Sequence, residues 1–175
     1  MQYELFGSGL GARCGRDGVS GTSVHVGNSR ITPIEIVESE FPVRVERFEL
    51  LADSGGAGRW RGGLGFVREY TLLEPGRLST RFDKHQVPAP GVDGGAPGRP
   101  GATIVNPGTA AEQRLPARVG DVQLPAGTRL RIERAGGGGF GDPRQRPPAE
   151  VQHDLDQGYI SREVARDTYG LPSRG

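Results

Sequence analysis

The chain has 175 residues, of which 30 are Gly and 14 are Pro, and its formal net charge is +1. Gly and Pro near a quarter of the chain border on low complexity. The balanced charge, and a Leu, Ile, Val and Phe share of about a fifth, place it among thin-cored globular domains instead. No Gly-X-Y period, no apolar run approaching ~20 residues, no signal-peptide pattern at Met1–Phe6 and a single cysteine, Cys14, exclude collagen, a spanning helix and an internal disulfide, and fit a reducing cytoplasm.

All but one of the 22 basic residues are Arg, the exception being Lys84. Gly, Ala, Arg and Pro share GC-rich codons, which accounts for this bias. The 21 acidic residues are interspersed among the cations, so no basic stripe for nucleic acid exists.

Residues 1–30 are glycine-rich and aperiodic, and read as loops. Ile34–Glu38 is expected to be a strand. Val43–Leu50 follows, and its alternation slips at the middle, which predicts a strand with a bulge. A glycine block, Ser54–Gly65, carries the only tryptophan, Trp60, flanked by Arg59 and Arg61. Such a residue reads as a core or interface anchor. Strands are expected at Phe66–Leu73 and Arg77–Phe82, joined through Glu74-Pro75-Gly76, where Pro presets φ and Gly accepts positive φ.

Residues 88–101 read as a long Pro- and Gly-rich loop, and Thr103–Val105 as a short strand. Thr128–Glu133 alternates, with Leu130 and Ile132 inward and Arg129, Arg131 and Glu133 outward. Four successive glycines, Gly136–Gly139, come next. After Pro147-Pro148 the period changes to helical: Val151 and Leu155 on one helix ended by Gly158, then Ser161 as N-cap of a second ended by Gly170. The expected class is mainly β (α+β). A β-sheet body with long Gly/Pro-rich loops spans 1–146, and a C-terminal helical hairpin spans 147–175.

Few motifs carry chemistry. Lys84 lies in Asp83-Lys84-His85 and not in Gly-Lys-Ser/Thr, so there is no P-loop and ATP would be bound elsewhere. Gly136-x-Gly138-x-x-Gly141 fits the dinucleotide pattern literally. The Asp142-Pro143 that follows, with Pro147-Pro148 close behind, cannot open the helix that binding needs. The glycines read instead as a sharp turn, a close approach of backbone to backbone or ligand, or an anion nest. There is no His-Glu-x-x-His and no zinc-spaced cysteine pair. Asp83 and His85, two apart at a strand end, are candidates for one site, as is His25 in the polar stretch Val24–Arg30. His153 reads as a solvated helix residue. Cys14 between Arg13 and Gly15-Arg16 has no evident base, which a nucleophile needs.

Taken together, several blocks resemble the carboxy-terminal part of the hydantoinase B/oxoprolinase family. They are Gly15-Arg16-Asp17-Gly18 with His25 and Asn28; Thr32–Glu38; Phe41–Arg47; Asp53–Gly65; Gly136–Pro143; and Gly158-Tyr159-Ile160-Ser161 with Tyr169-Gly170. The resemblance implies ATP-dependent chemistry on cyclic amides such as hydantoins and 5-oxoproline, as in N-methylhydantoinase and 5-oxoprolinase. Subunits of ATP-dependent acetone and acetophenone carboxylases are related. It implies ATP and magnesium handled by a hydantoinase A-like partner, a divalent metal in some members, and a hetero-oligomer that includes an N-terminal hydantoinase B segment not present in this chain. His25, Asp83 and His85 are then the catalytic candidates, and Arg30, Gly137 and Gly138 the substrate-binding ones. This sequence has Ser23-Val24-His25 where many members have His-x-His, and Cys14 where proline is expected. The alternatives are a non-catalytic assembly module, with the glycine loops and Trp60 at an interface, and a subunit of an ATP-dependent ketone carboxylase.

Overall fold

The computed structural model describes residues 2–23 and 31–172. Among these residues, seven strands make two antiparallel sheets: β1 (Val43–Leu50), β2 (Phe66–Leu72), β3 (Gly76–Arg81), β4 (Ala102–Val105), β5 (Gln113–Leu115), β6 (Arg118–Leu124) and β7 (Arg129–Glu133). Five stand in the order β1-β2-β7-β4-β5, and β3 pairs with β6. Three short α-helices among the described residues, α1 (Ile34–Glu40), α2 (Pro148–Asp156) and α3 (Arg162–Asp167), complete a sheet-dominated α+β fold.

The expected bulge lies in β1, between Val45 and Arg47. Its effect is to put Val43, Val45, Phe48 and Leu50 opposite Leu72, Tyr70, Arg68 and Phe66, so that all four apolar residues of β1 share one face. Tyr70, Leu72, Leu130, Ile132, Val105 and Leu115 carry that face across the sheet, and Leu124 of β6 and Val37 of α1 close over it. The opposite face is mixed: Val67 and Ile104 are buried on it, and Glu69, 1% exposed, takes Arg131 Nε at 2.7 Å as well as Arg129.

Residues 34–38 are helical, not a strand. Ile34, Val37 and Phe41 repeat at helical spacing, Val37 is buried in the core, and Pro33 supplies a fixed φ of −51° at the N-cap. Phe41 turns extended because Pro42 follows it. Gly76 does not use a positive φ; it starts β3, and the bend at 73–75 carries the chain from one sheet to the other. Glu133 is buried against Arg99 at 2.7 Å and does not face solvent. Strand β6 escaped the sequence pattern because it shifts register against β3 between Leu78 and Thr80, which breaks its period, and β5 has only three residues, too few to show one.

The glycine blocks form a bundle of extended backbones. Segment 136–141 runs through its centre, with Gly136–Gly139 all buried. Gly137 N–H donates to Gly63 O at 2.9 Å, Gly56 N–H to Gly137 O at 2.8 Å, Ala12 N–H to Gly138 O at 2.9 Å, and Gly139 N–H to Ala96 O at 2.9 Å. A Cβ on Gly136, Gly137, Gly138 or Gly139 would overlap the carbonyl of Ser54, Leu10, Pro90 or Ala57 respectively. The four glycines thus face three neighbouring segments, Gly136 and Gly139 the same one at 54–57, which only residues without a side chain permit. The expected close approach of backbone to backbone is what the four glycines make.

Helices α2 and α3 pack through Val151, Ile160, Ala165 and Tyr169, with Ala57 of the bundle against them. Ser161 caps α3 by accepting from Val164 N–H, and Gly158 and Gly170 take φ of +69° and +78°. Asp53 accepts from the Ser161 N–H at 2.8 Å and ties the hairpin to the head of the glycine block.

Candidate functional site

His85 follows β3 and lies over the end of the five-stranded sheet. Its neighbour there is Gly101, where an added Cβ would stand 2.9 Å from His85 Cδ2. The ring packs on Phe82 at 5.6 Å, and Phe82 in turn carries the Arg134 guanidinium at 4.4 Å from its centroid. Arg134 is 8% exposed; it donates from Nε to Gly7 O at 3.0 Å and from an NH2 nitrogen to Ser8 Oγ at 3.2 Å. His85 Nε2 and one Arg134 nitrogen are buried without a hydrogen-bond partner among the described residues.

Burial, and then the Arg134 charge, hold the His85 imidazolium pKa below its usual value, against an opposing pull from Asp83. The ring is therefore neutral at pH 7 and able to accept a proton. Burial likewise lowers the Arg134 pKa, to about 10. Asp83 itself is exposed and pairs with Arg118 at 3.3 Å. The same-side argument for Asp83 and His85 does not hold: β3 ends at Arg81, and Lys84 between them has φ of +61°. Lys84, in the left-handed region, turns the chain.

Of the two glycines singled out, Gly137 has its N–H engaged by Gly63, whereas Gly138 N–H makes no backbone hydrogen bond to another described residue. His25 and Arg30 lie outside the described residues. Cys14 is exposed. No group of three or more His, Cys, Asp and Glu that could hold a metal ion occurs among the described residues.

A second centre is one the sequence reading missed. An open cleft of about 420 Å³ between the glycine blocks and α2 is lined by Asp17, Arg61, Arg146, Glu150, Asp154 and Tyr159, among others. Arg146 holds Asp17 with both its terminal nitrogens, at 2.8 and 2.7 Å, and reaches Asp154 at 2.9 Å. Arg61 Nε donates to Asp154 at 3.2 Å, its guanidinium stacks on Tyr159 at 5.1 Å, and its backbone N–H donates to Asp17 at 2.7 Å. Arg146 and Asp154 side chains are each 2% exposed.

Burial alone would raise the Asp17 pKa; the Arg146 hydrogen bond and charge outweigh it and hold the carboxyl below the usual range. Every charge of this network is paired, so its chemistry is that of a clamp joining the loop at 17, the Trp60 block and α2. The signal lay in the quoted Asp17 and Arg61 blocks, but Arg146 and Asp154 sit in stretches that look like ordinary loop and helix surface. Trp60 packs on Phe140 at 5.7 Å and under Arg59 at 4.8 Å, half-buried beside this network.

A strand order of β1-β2-β7-β4-β5 with a glycine bundle at one end and a clamped helical hairpin is a defined architecture, and it recurs. The profile of the Hydantoinase B/oxoprolinase family matches residues 1–143, and the chain belongs to that family. It is 33% identical over 175 residues to the caprolactamase subunit beta of Pseudomonas jessenii, covering 94% of this chain and 29% of that protein. It is 37% identical over 139 residues to 5-oxoprolinase 1 of Arabidopsis thaliana, covering 79% of this chain and 11% of that protein. Among solved structures, the ATP-dependent caprolactamase from Pseudomonas jessenii superposes with a TM-score of 0.81 at 29% identity, over 96% of this chain and 30% of that one. An acetone carboxylase shares the fold at 19% identity and a TM-score of 0.68. The chain spans less than a third of the length of each of these relatives. No helix among the described residues is long and apolar enough to cross a membrane.

Proposed function

We propose that this chain is one part of the B component of an ATP-dependent hydrolase of cyclic amides, active only with the rest of the B component and a hydantoinase A-like subunit that uses ATP. The family match over residues 1–143 carries this reading. The likeness to an enzyme named for ATP-dependent lactam cleavage supports it. In the reaction, a phosphoryl group from ATP activates the ring amide at its oxygen. ADP is released, water adds to the carbonyl carbon, and the ring C–N bond breaks as the nitrogen takes up a proton; a second water hydrolyses the acyl phosphate left behind to the carboxylate and inorganic phosphate. His85, neutral at pH 7, or His25 would accept the proton from water and return one to the nitrogen, with Asp83 beside His85 favouring the protonated ring. Arg30 and the Gly137–Gly138 backbone would hold the substrate, Gly138 through its uncommitted N–H. The same assembly would bring ATP with magnesium, and any divalent metal, on other segments.

The test is reconstitution. The chain is mixed with the remaining B segment and the A-like subunit, and ADP release is followed with hydantoin, 5-oxoproline and caprolactam. Ring opening that needs all three polypeptides and ATP is expected, and turnover by this chain alone would refute the dependence. A second reading, a non-catalytic assembly module, is favoured by the full pairing of charges in the Arg61–Arg146 cleft. Full activity of His25→Ala and His85→Ala complexes, with dissociation on Trp60→Ala, would decide for it.

A further inference from the structure

The apolar face of the five-stranded sheet is not covered to its end. Val43 and Val45 are half-buried under the core, but Phe48 and Leu50, on the same face after the bulge, are each 40% exposed. The segment leading into the fold crosses this end. Glu4 reaches Arg68 at 2.8 Å, and Phe6 packs on Phe66 and Phe82, each at 6.0 Å. Its alternate residues Tyr3 and Leu5 point away and are 77% and 55% exposed. Phe48 packs edge-on against Phe66 at 5.4 Å and over Arg68 at 5.1 Å, the same two residues that Phe6 and Glu4 of the crossing segment touch. Leu50 lies against the backbone at Gly21.

Beneath this shelf, Arg68 is fully buried, with Glu4 as its one ionic partner, and Nε and NH2 have no hydrogen-bond partner among the described residues. β1 is also an edge strand. Exposed Phe and Leu on a sheet face beside an open edge, with exposed Tyr and Leu on the segment that crosses it, are what a layer of structure normally covers.

We propose that the shelf of Tyr3, Leu5, Phe48 and Leu50 is the seat of the remaining hydantoinase B segment. This rests on the reading of the chain as part of a B component. The occupant follows from length and match. This fold superposes on 30% of the caprolactamase chain with a TM-score of 0.81. The remaining polypeptide of such a protein must therefore pack on surfaces that these 175 residues leave open. The shelf joins exposed apolar side chains to an unfinished core, as an intramolecular layer requires and a transient partner does not.

The test uses the Pseudomonas jessenii caprolactamase subunit beta trimmed of the region this chain matches, co-expressed with the full 175-residue chain. The wild-type chain is expected to co-elute with it. A Tyr3→Ser/Leu5→Ser/Phe48→Ser variant, checked by circular dichroism, is expected to bind at least tenfold more weakly. Leu73→Ser, which removes an equally exposed apolar residue elsewhere, is expected to bind as the wild type does. Wild-type binding that the triple variant retains would overturn the shelf and leave the B-component reading intact. Failure of the wild-type chain to bind would overturn both. A concentration-dependent homodimer abolished by the triple variant would overturn the assignment in favour of a second copy.

Discussion

The five-stranded sheet and the glycine bundle bury their backbones by opposite means. In the sheet, strands pair edge to edge and side chains fill the space above: Tyr70, Leu130 and Ile132 are each at most 6% exposed in the core. In the bundle, segments 8–12, 54–63, 90–98 and 136–141 meet with backbone against backbone, and hydrogen bonds leave segment 136–141 toward several neighbours. The sheet tolerates a change of side-chain volume at a graded cost. The bundle has no volume to give, because the atom a substitution would displace is a carbonyl.

The largest effect should therefore come from the smallest addition. Gly137→Val places a side chain on the Leu10 carbonyl, and a loss above about 4 kcal/mol is expected, enough to leave most of the chain insoluble or unfolded. Gly120→Ala in β6 is the control: nothing lies within 4 Å of its Cβ and its φ is not positive, so stability is expected to hold or rise by about 0.5 kcal/mol. Chemical denaturation of both would show whether the bundle is as intolerant as the comparison requires. Gly137→Val folding normally would break it.

Asp154→Ala probes a third mode, in which charges seal the joint between the bundle and α2. It strands Arg61 and Arg146, and Arg146 keeps only Asp17 and the half-exposed Glu150. A loss of about 3–5 kcal/mol is expected, read as a lower denaturation midpoint. Leu130→Ala tests the sheet side, where a cavity in the core is expected to cost about 3 kcal/mol while the protein still folds. If Leu130→Ala were the more damaging of the two, the sheet core and not the clamped bundle would dominate stability. Ser161→Ala is smaller again, about 1 kcal/mol, since it removes only the hydroxyl that accepts from Val164 N–H.

What could be read from the sequence divides along the same line. The sheet's strands announced themselves wherever alternation survived, as in β7, and even the slip at Val45–Arg47 was legible because a bulge leaves two half-patterns out of phase. Alternation was no guide at Ile34–Glu38, expected as a strand, where spacing of three to four over Ile34, Val37 and Phe41 and a proline at the N-cap decided for a helix. It was absent in β6, whose register shifts. The C-terminal helices were legible from Ser161, Gly158 and Gly170, which act locally. The bundle was visible only as composition: four glycines in a row signal close approach, but which segments approach is a long-range property. For the same reason the Asp17–Arg146 pair, 129 residues apart, could not be foreseen.

The subtlest prediction falls at Gly101, where the two modes of packing meet. The missing side chain there lets the His85 ring lie on the end of the sheet, next to Arg134. Burial and that cation lower the folded pKa of His85 below its ordinary 6.5, so the folded state binds fewer protons than the unfolded chain as pH falls. Its contribution to stability is thus present above about pH 6.5 and is lost as pH drops from there through the lower folded value. Asp17, held below its ordinary 3.8, begins to lose its contribution only as pH falls from about 3.8, well below where the loss at His85 begins. The denaturation midpoint of the wild type is expected to fall between pH 7 and pH 5 more steeply than that of His85→Gln, and the two profiles are expected to run parallel above pH 7. Parallel profiles throughout would mean that the ring is as free to protonate in the fold as out of it, and that Gly101 admits water where the structure places His85.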